Sequence, residues 1–190
     1  MKKIVIALFA SLFVLGAHAQ DDAMIPLNYA NTPQEEVYKY EGNVMRCYQW
    51  LQDTPLDKMQ FERKIVTEFA FGWVLITPSI YIELVTNAVE FLNDADENMT
   101  SIYLCGYANY LLDKKKAEGI LNTPTVIGTT REEVINATEY AIDACLQFYE
   151  KNRESYQRIP GLESFKKMKK KGTFEEYISS QVPENFQPRN

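Results

Sequence analysis

Three groups of side chains in this chain have the type and spacing for chemistry. The first is Asp94-Ala95-Asp96-Glu97-Asn98, which opens like a calcium-binding loop. Such a loop needs glycine at its sixth position to turn and glutamate at its twelfth as a bidentate ligand. Those positions hold Met99 and Cys105. The cluster therefore reads as the acidic start of a helix, where carboxylates meet the positive end of the helix dipole, and no metal site is expected. The second group is Cys47, Cys105 and Cys145, one on each of three predicted helices. Cys105 and Cys145 lie on consecutive long helices and are the pair best placed for a disulfide. Each cysteine also falls on an apolar helix face, and three free, buried thiols is the preferred reading. The third group is Lys166, Lys167, Lys169, Lys170 and Lys171 around Met168. These lysines make either a patch for an acidic partner or lipid headgroups, or the solvated end of a helix in front of Gly172, where cations suit the dipole. The second alternative is preferred.

Much chemistry is missing. His18 is the only histidine, and it lies in residues 1–19, which have the form of a secretory signal. Lys2 and Lys3 precede an apolar run from Ile4 to Gly16, and Ala17-His18-Ala19 matches a small-x-small cleavage pattern. Cleavage is expected between Ala19 and Gln20. The apolar run of 13 residues falls short of the roughly 20 that span a bilayer, so no transmembrane segment is expected after signal removal. The remaining chain carries 18 basic and 26 acidic side chains and no histidine. Ser-His-Asp and Cys-His catalysis and His-containing zinc sites then have no means. The acidic balance argues against nucleic acid as a partner, and no cofactor is expected. A pair of carboxylates in a glycosidase arrangement is the simplest enzymatic option left, with 26 acids and no pattern that selects two.

The elements that must position these groups are mostly helices. Val37, Tyr40, Val44, Cys47 and Leu51 recur at steps of three and four, predicting a helix over 35–52. A second is predicted over 57–76, and a third over 97–115 that is apolar on nearly every side, as the centre of a bundle requires. Thr130-Arg131-Glu132-Glu133 is a capping box that starts a fourth, expected to reach about residue 156. Pro160 to Gly172 brackets a fifth, and Phe174, Tyr177 and Ile178 mark a short last one. In 79–91, Ile80, Ile82 and Leu84 alternate like a strand, and Thr86-Asn87 would turn a short β-hairpin; a helical stripe through Tyr81, Leu84, Val85 and Ala88 fits almost as well, and the extended pair is preferred. The expected fold is mainly α: a single-domain bundle of five or six helices, with a short β-hairpin near residues 79–91 as an option. The expected divisions are a signal at 1–19, an extended arm at 20–34, the helical domain at 35–181 and a flexible tail at 182–190.

Several segments together resemble a family of small secreted helical proteins of unassigned function from Bacteroidetes-type bacteria. They are Trp50 to Asp57, Phe71-Gly72-Trp73 leading to Thr77-Pro78, Ile80 to Leu84, Ile102 to Leu112, Phe148 to Asn152 and Lys170 to Ile178. Their order over residues 37–179 carries the likeness. Cys105-Gly106-Tyr107 is similar to a stretch in periplasmic immunity proteins that neutralise type VI secretion effectors. The resemblance implies a periplasmic or secreted address and a helical fold, not a mechanism; the leading functional expectation is a non-enzymatic protein that binds an unidentified protein or envelope component. An immunity protein against an envelope-targeted toxin and an envelope hydrolase using paired carboxylates are the alternatives.

Overall fold

The structure is a computed structural model that describes residues 23–188. The expected cleavage site at Ala19 and Gln20 lies outside the described residues. Among them are seven α-helices: α1 (Glu41–Asp53), α2 (Gln60–Ile76), α3 (Thr86–Val89), α4 (Glu97–Ala117), α5 (Arg131–Lys151), α6 (Pro160–Lys171) and α7 (Phe174–Gln181). The mainly helical bundle expected from periodicity is what the chain forms.

Helix α4 is the centre. Met99, Ile102, Tyr103, Cys105, Tyr107, Ala108, Leu111 and Leu112 are all at most 1% exposed, so this helix has no solvent face along its middle. It runs antiparallel to α5. The Cys145 thiol donates to the Met99 carbonyl at one end, and Lys114 reaches Glu133 at the other. Gly106 sets the approach: a Cβ there would lie 3.2 Å from Ala144 Cβ and 3.5 Å from Ala141 Cα. Helix α1 packs antiparallel on another side of α4, and α2 packs antiparallel to α1. Cys47, Cys105 and Cys145 are all free and buried; no bridge joins Cys105 to Cys145. Burial pushes the Cys47 and Cys105 thiols up to about 12, which leaves them protonated and unreactive.

Local chemistry sets the helix ends. The helix predicted from residue 35 begins as a 3-10 turn over Gln34–Tyr40. The Val37 carbonyl accepts from the Trp73 indole at 2.7 Å, and the Glu41 amide bonds to Tyr38 instead. Helix α5 stops at Lys151, short of the expected 156. The Asn152 side chain takes the Phe148 carbonyl at 2.9 Å, and its Oδ1 accepts from the Leu56 amide. Gly172, at φ +68, ends α6 with Thr173 N–H bonded back to Met168 O.

The hairpin expected in 79–91 is not there. Ile80 forms one isolated parallel bridge with Ile127: Tyr81 N–H donates to Ile127 O, and Ile127 N–H to Ser79 O. Thr86 and Asn87 begin the helical turn α3 rather than a reverse turn. The alternation marked extended backbone correctly, but its partner lies beyond α4. The inward positions also slip out of step, with Ile80 and Val85 buried and Leu84 50% exposed. The Glu83 amide finds the Tyr107 hydroxyl in place of a strand neighbour.

Two ion pairs tie the α4 terminus to its surroundings. Glu41 and Lys115, both 0% exposed, pair across α1 and α4. Glu41 also accepts from Ser79 Oγ at 2.7 Å and from the Asn122 amide at 2.6 Å, while Lys115 donates to Thr123 O at 2.8 Å. Nearby, the capping-box residue Glu133 accepts from Lys114 Nζ at 2.5 Å and from the Gly128 and Thr130 amides at 3.1 Å each. Burial alone would raise the Glu133 pKa, but the Lys114 and Thr130 hydrogen bonds outweigh it and hold the carboxyl below its ordinary value of 4.5. A carboxyl lowered in the folded state stabilises the fold above its unfolded value, and that contribution is lost as pH falls through the folded value. Glu133→Gln should therefore cost about 1–3 kcal/mol at pH 7. The gap to wild type should close as pH falls below 4.5, and urea melts at pH 7 and at acid pH measure both.

Candidate functional site

Arg63 lies on the inner stripe of α2 with Val66, Ala70 and Trp73, and is 5% exposed. Its guanidinium sits over the rings of Trp50 and Phe148, 6.0 and 5.5 Å from their centroids. Nη2 donates to Leu51 O at 2.9 Å and to Thr54 O. From α5, Lys151 Nζ donates to Gln52 O and Asp53 O at 2.9 and 2.6 Å. The carbonyls that α1 leaves unpaired at its C-terminus are thus met by two cations from other helices. Among the described residues no carboxylate pairs with Arg63, and its Nε is buried with no hydrogen-bond partner.

Arg63 also forms part of the wall of a groove of about 630 Å³, between the N-terminal half of α2 and the first turn of α4. Leu56 and Phe71 give the groove its apolar surface, and Gln60, Thr67 and Ser101 its hydrogen-bonding groups. Glu97 and Asn98 bring in the start of α4. There Asp96 acts as N-cap, accepting from the Met99 amide at 2.9 Å. The acidic run that looked like a calcium loop is thereby a helix start. Among the described residues no group of three or more His, Cys, Asp or Glu side chains is placed to hold a metal ion. Beside Gln60 stand Met59 and Phe61, 50% and 57% exposed. Met59 adopts a left-handed backbone, φ +47, a strained geometry for a side chain of its size.

The lysine cluster is placed elsewhere, on α6. Lys166 pairs with Glu150 at 2.5 Å and Lys169 with Asp143 at 2.6 Å, both partners on α5, and Lys169 Nζ also sits 4.4 Å from the centre of the Phe174 ring. Lys167, Lys170 and Lys171 are exposed and form no ion pair among the described residues. Two of the five lysines therefore hold α6 to α5. Glu139 is a carboxyl pushed above its ordinary value, by burial and by Glu175 across α5 and α7, and neither acid lines the Arg63 groove.

No family model, no curated protein and no solved structure matches the chain. Sequence reading missed Arg63 and its groove. The signal that marks Arg63 is its phase: it falls three residues before Val66, on a stripe otherwise apolar through Ala70 and Trp73.

Proposed function

We propose that the protein is a non-enzymatic helical binding protein of the bacterial cell envelope that engages a protein partner through the α2–α4 groove. One observation carries this reading. The groove is lined by a buried arginine that pairs with no acid among the described residues, and its lining residue Gln60 is flanked in sequence by exposed Met59, on a strained left-handed backbone, and exposed Phe61, in the first turn of α2. Apolar and cationic anchors beside a concave surface are what partner recognition uses. The sequence of residues 1–19 supports export to the periplasm or beyond. Described helices long and apolar enough to cross a membrane are absent.

A photo-crosslinking residue placed at Phe61 in the native host is expected to give a discrete adduct that the same group at Glu118 does not. If the captured partner is a toxin whose killing the protein blocks, the binding function is immunity. Adducts of equal yield from both positions would count against the groove. The hydrolase alternative has its own marker in Glu139. If purified protein releases glycan fragments, and Glu139→Gln abolishes this with the thermal melt unchanged, the binding reading is wrong.

A further inference from the structure

We propose that the outer face of α2 pairs, antiparallel, with the same face of a second copy of this chain. This inference rests on the binding reading above and names the partner. Lys64, Glu68 and Phe71 belong both to this face and to the groove wall, so the pairing closes the groove on its outer side.

Helix α2 is apolar on two opposite sides. Val66, Phe69, Ala70, Trp73 and Val74 face the core and are buried. On the far side stand Phe61, Ile65, Phe71 and Leu75. Leu75 is 64% exposed and Phe61 57%, while Ile65 and Phe71 are half-buried. A helix apolar all round belongs inside an assembly, and the core of one chain covers only one side of this one. The polar members of the outer stripe are Lys64 and Glu68, both well exposed and 4.0 Å apart. Gly72 completes it, with nothing within 4 Å of where a Cβ would stand.

The order of these residues selects a second copy as the occupant. About Glu68 the stripe is symmetric: Phe61 and Leu75 lie seven residues to either side, Lys64 and Gly72 four, and Ile65 and Phe71 three. A two-fold axis beside Glu68 therefore sets Phe61 against Leu75 of the second copy, and does so at both ends of the contact. Ile65 fits over Gly72 of the second copy, where no side chain stands in its way. Lys64 runs along Phe71 of the second copy and reaches its Glu68. The two glutamates meet at the centre with a lysine above and a lysine below, so charge is balanced across the interface. Packing at about 20° keeps residues three and four apart in register along both helices. From Phe61 to Leu75 the face is about 21 Å long. It covers roughly half the area of a standard interface, which places the dissociation constant on the order of 10 µM.

Sedimentation of the purified protein between about 1 and 200 µM tests this. The mass should rise with concentration from one chain to two. Phe61→Lys and Leu75→Glu should each remain a monomer at the highest concentration, with a melt unchanged at the lowest, because both positions are at the surface. Mixed in equal amounts, the two variants should dimerise within about threefold of the wild-type constant. The introduced charges then face each other at one end, and Phe61 meets Leu75 undisturbed at the other. A parallel pairing or general adhesion would not give this rescue. A wild-type chain that stays monomeric throughout, single variants that dimerise like wild type, or a mixture that stays monomeric overturns the inference. If the chain is monomeric and the crosslinker at Phe61 captures a different protein, the dimer inference fails and the binding reading stands. If it is monomeric and captures nothing, both fail.

Discussion

Replacing Glu41 with alanine should cost about 3–5 kcal/mol of stability, because it leaves Lys115 charged, fully buried and without its anion. A domain has about 5–15 kcal/mol in total, so this single change takes the protein close to its unfolding threshold. Glu41 also anchors Ser79 and the Asn122 amide, and both lose an acceptor with it. The double replacement Glu41→Leu with Lys115→Met should cost less than Glu41→Ala alone, since it removes both charges together and fills the space. Urea midpoints of the three variants decide the matter. A single-variant cost below about 1 kcal/mol would mean that water reaches the pair.

Gly128→Ala is expected to cost about 3 kcal/mol or more, through two separate effects. Gly128 has φ +88, and a Cβ there would lie 2.3 Å from the Tyr81 carbonyl oxygen and 2.8 Å from Leu111 Cδ1. The first neighbour is backbone, held in place by the bridge at Ile80 and Ile127. Gly72→Ala is the matched control. It lies inside α2 with nothing within 4 Å of its Cβ position, and it should gain up to about 1 kcal/mol from helix propensity. If the two variants melt alike, the close approach at Gly128 is looser than described.

Both effects rest on contacts that span long stretches of sequence, which explains what could be read in advance. The central position of α4 was legible because its apolar residues leave no polar face. The start of α5 and the end of α6 were legible because Thr130 with Glu133, and Gly172, act on their own neighbours. The bridge from Ile80 to Ile127 was not legible: alternation shows that a segment is extended, not what it pairs with. The buried charges lie between these cases. Glu41 falls on the stripe of Val37, Val44 and Tyr48, and Lys115 on that of Ala108 and Leu111. Helical phase marks each as facing inward, but only the tertiary structure brings them together. Among Lys114, Lys115 and Lys116, phase alone separates the buried lysine from half-buried Lys114 and exposed Lys116. The same test applied to α2 marks Arg63 and leads to the groove. The lysine cluster on α6 drew notice for its density, yet two of its members serve packing between helices.

The clasp at the end of α1 has a consequence for the order of assembly. The carbonyls of residues 51–54 are met by Arg63, only 9 to 12 residues away, and by Lys151, 98 to 99 residues away. The near contact closes a short loop and can form as soon as α1 and α2 meet. The far one waits until α4 and α5 have folded back across the bundle, because closure of longer loops costs more entropy and slows pairing. The last turn of α1 is therefore held first from one side and locked later from the other. Its amides become a clock in pulsed hydrogen exchange, with protection arriving in two steps, the second coincident with docking of α5.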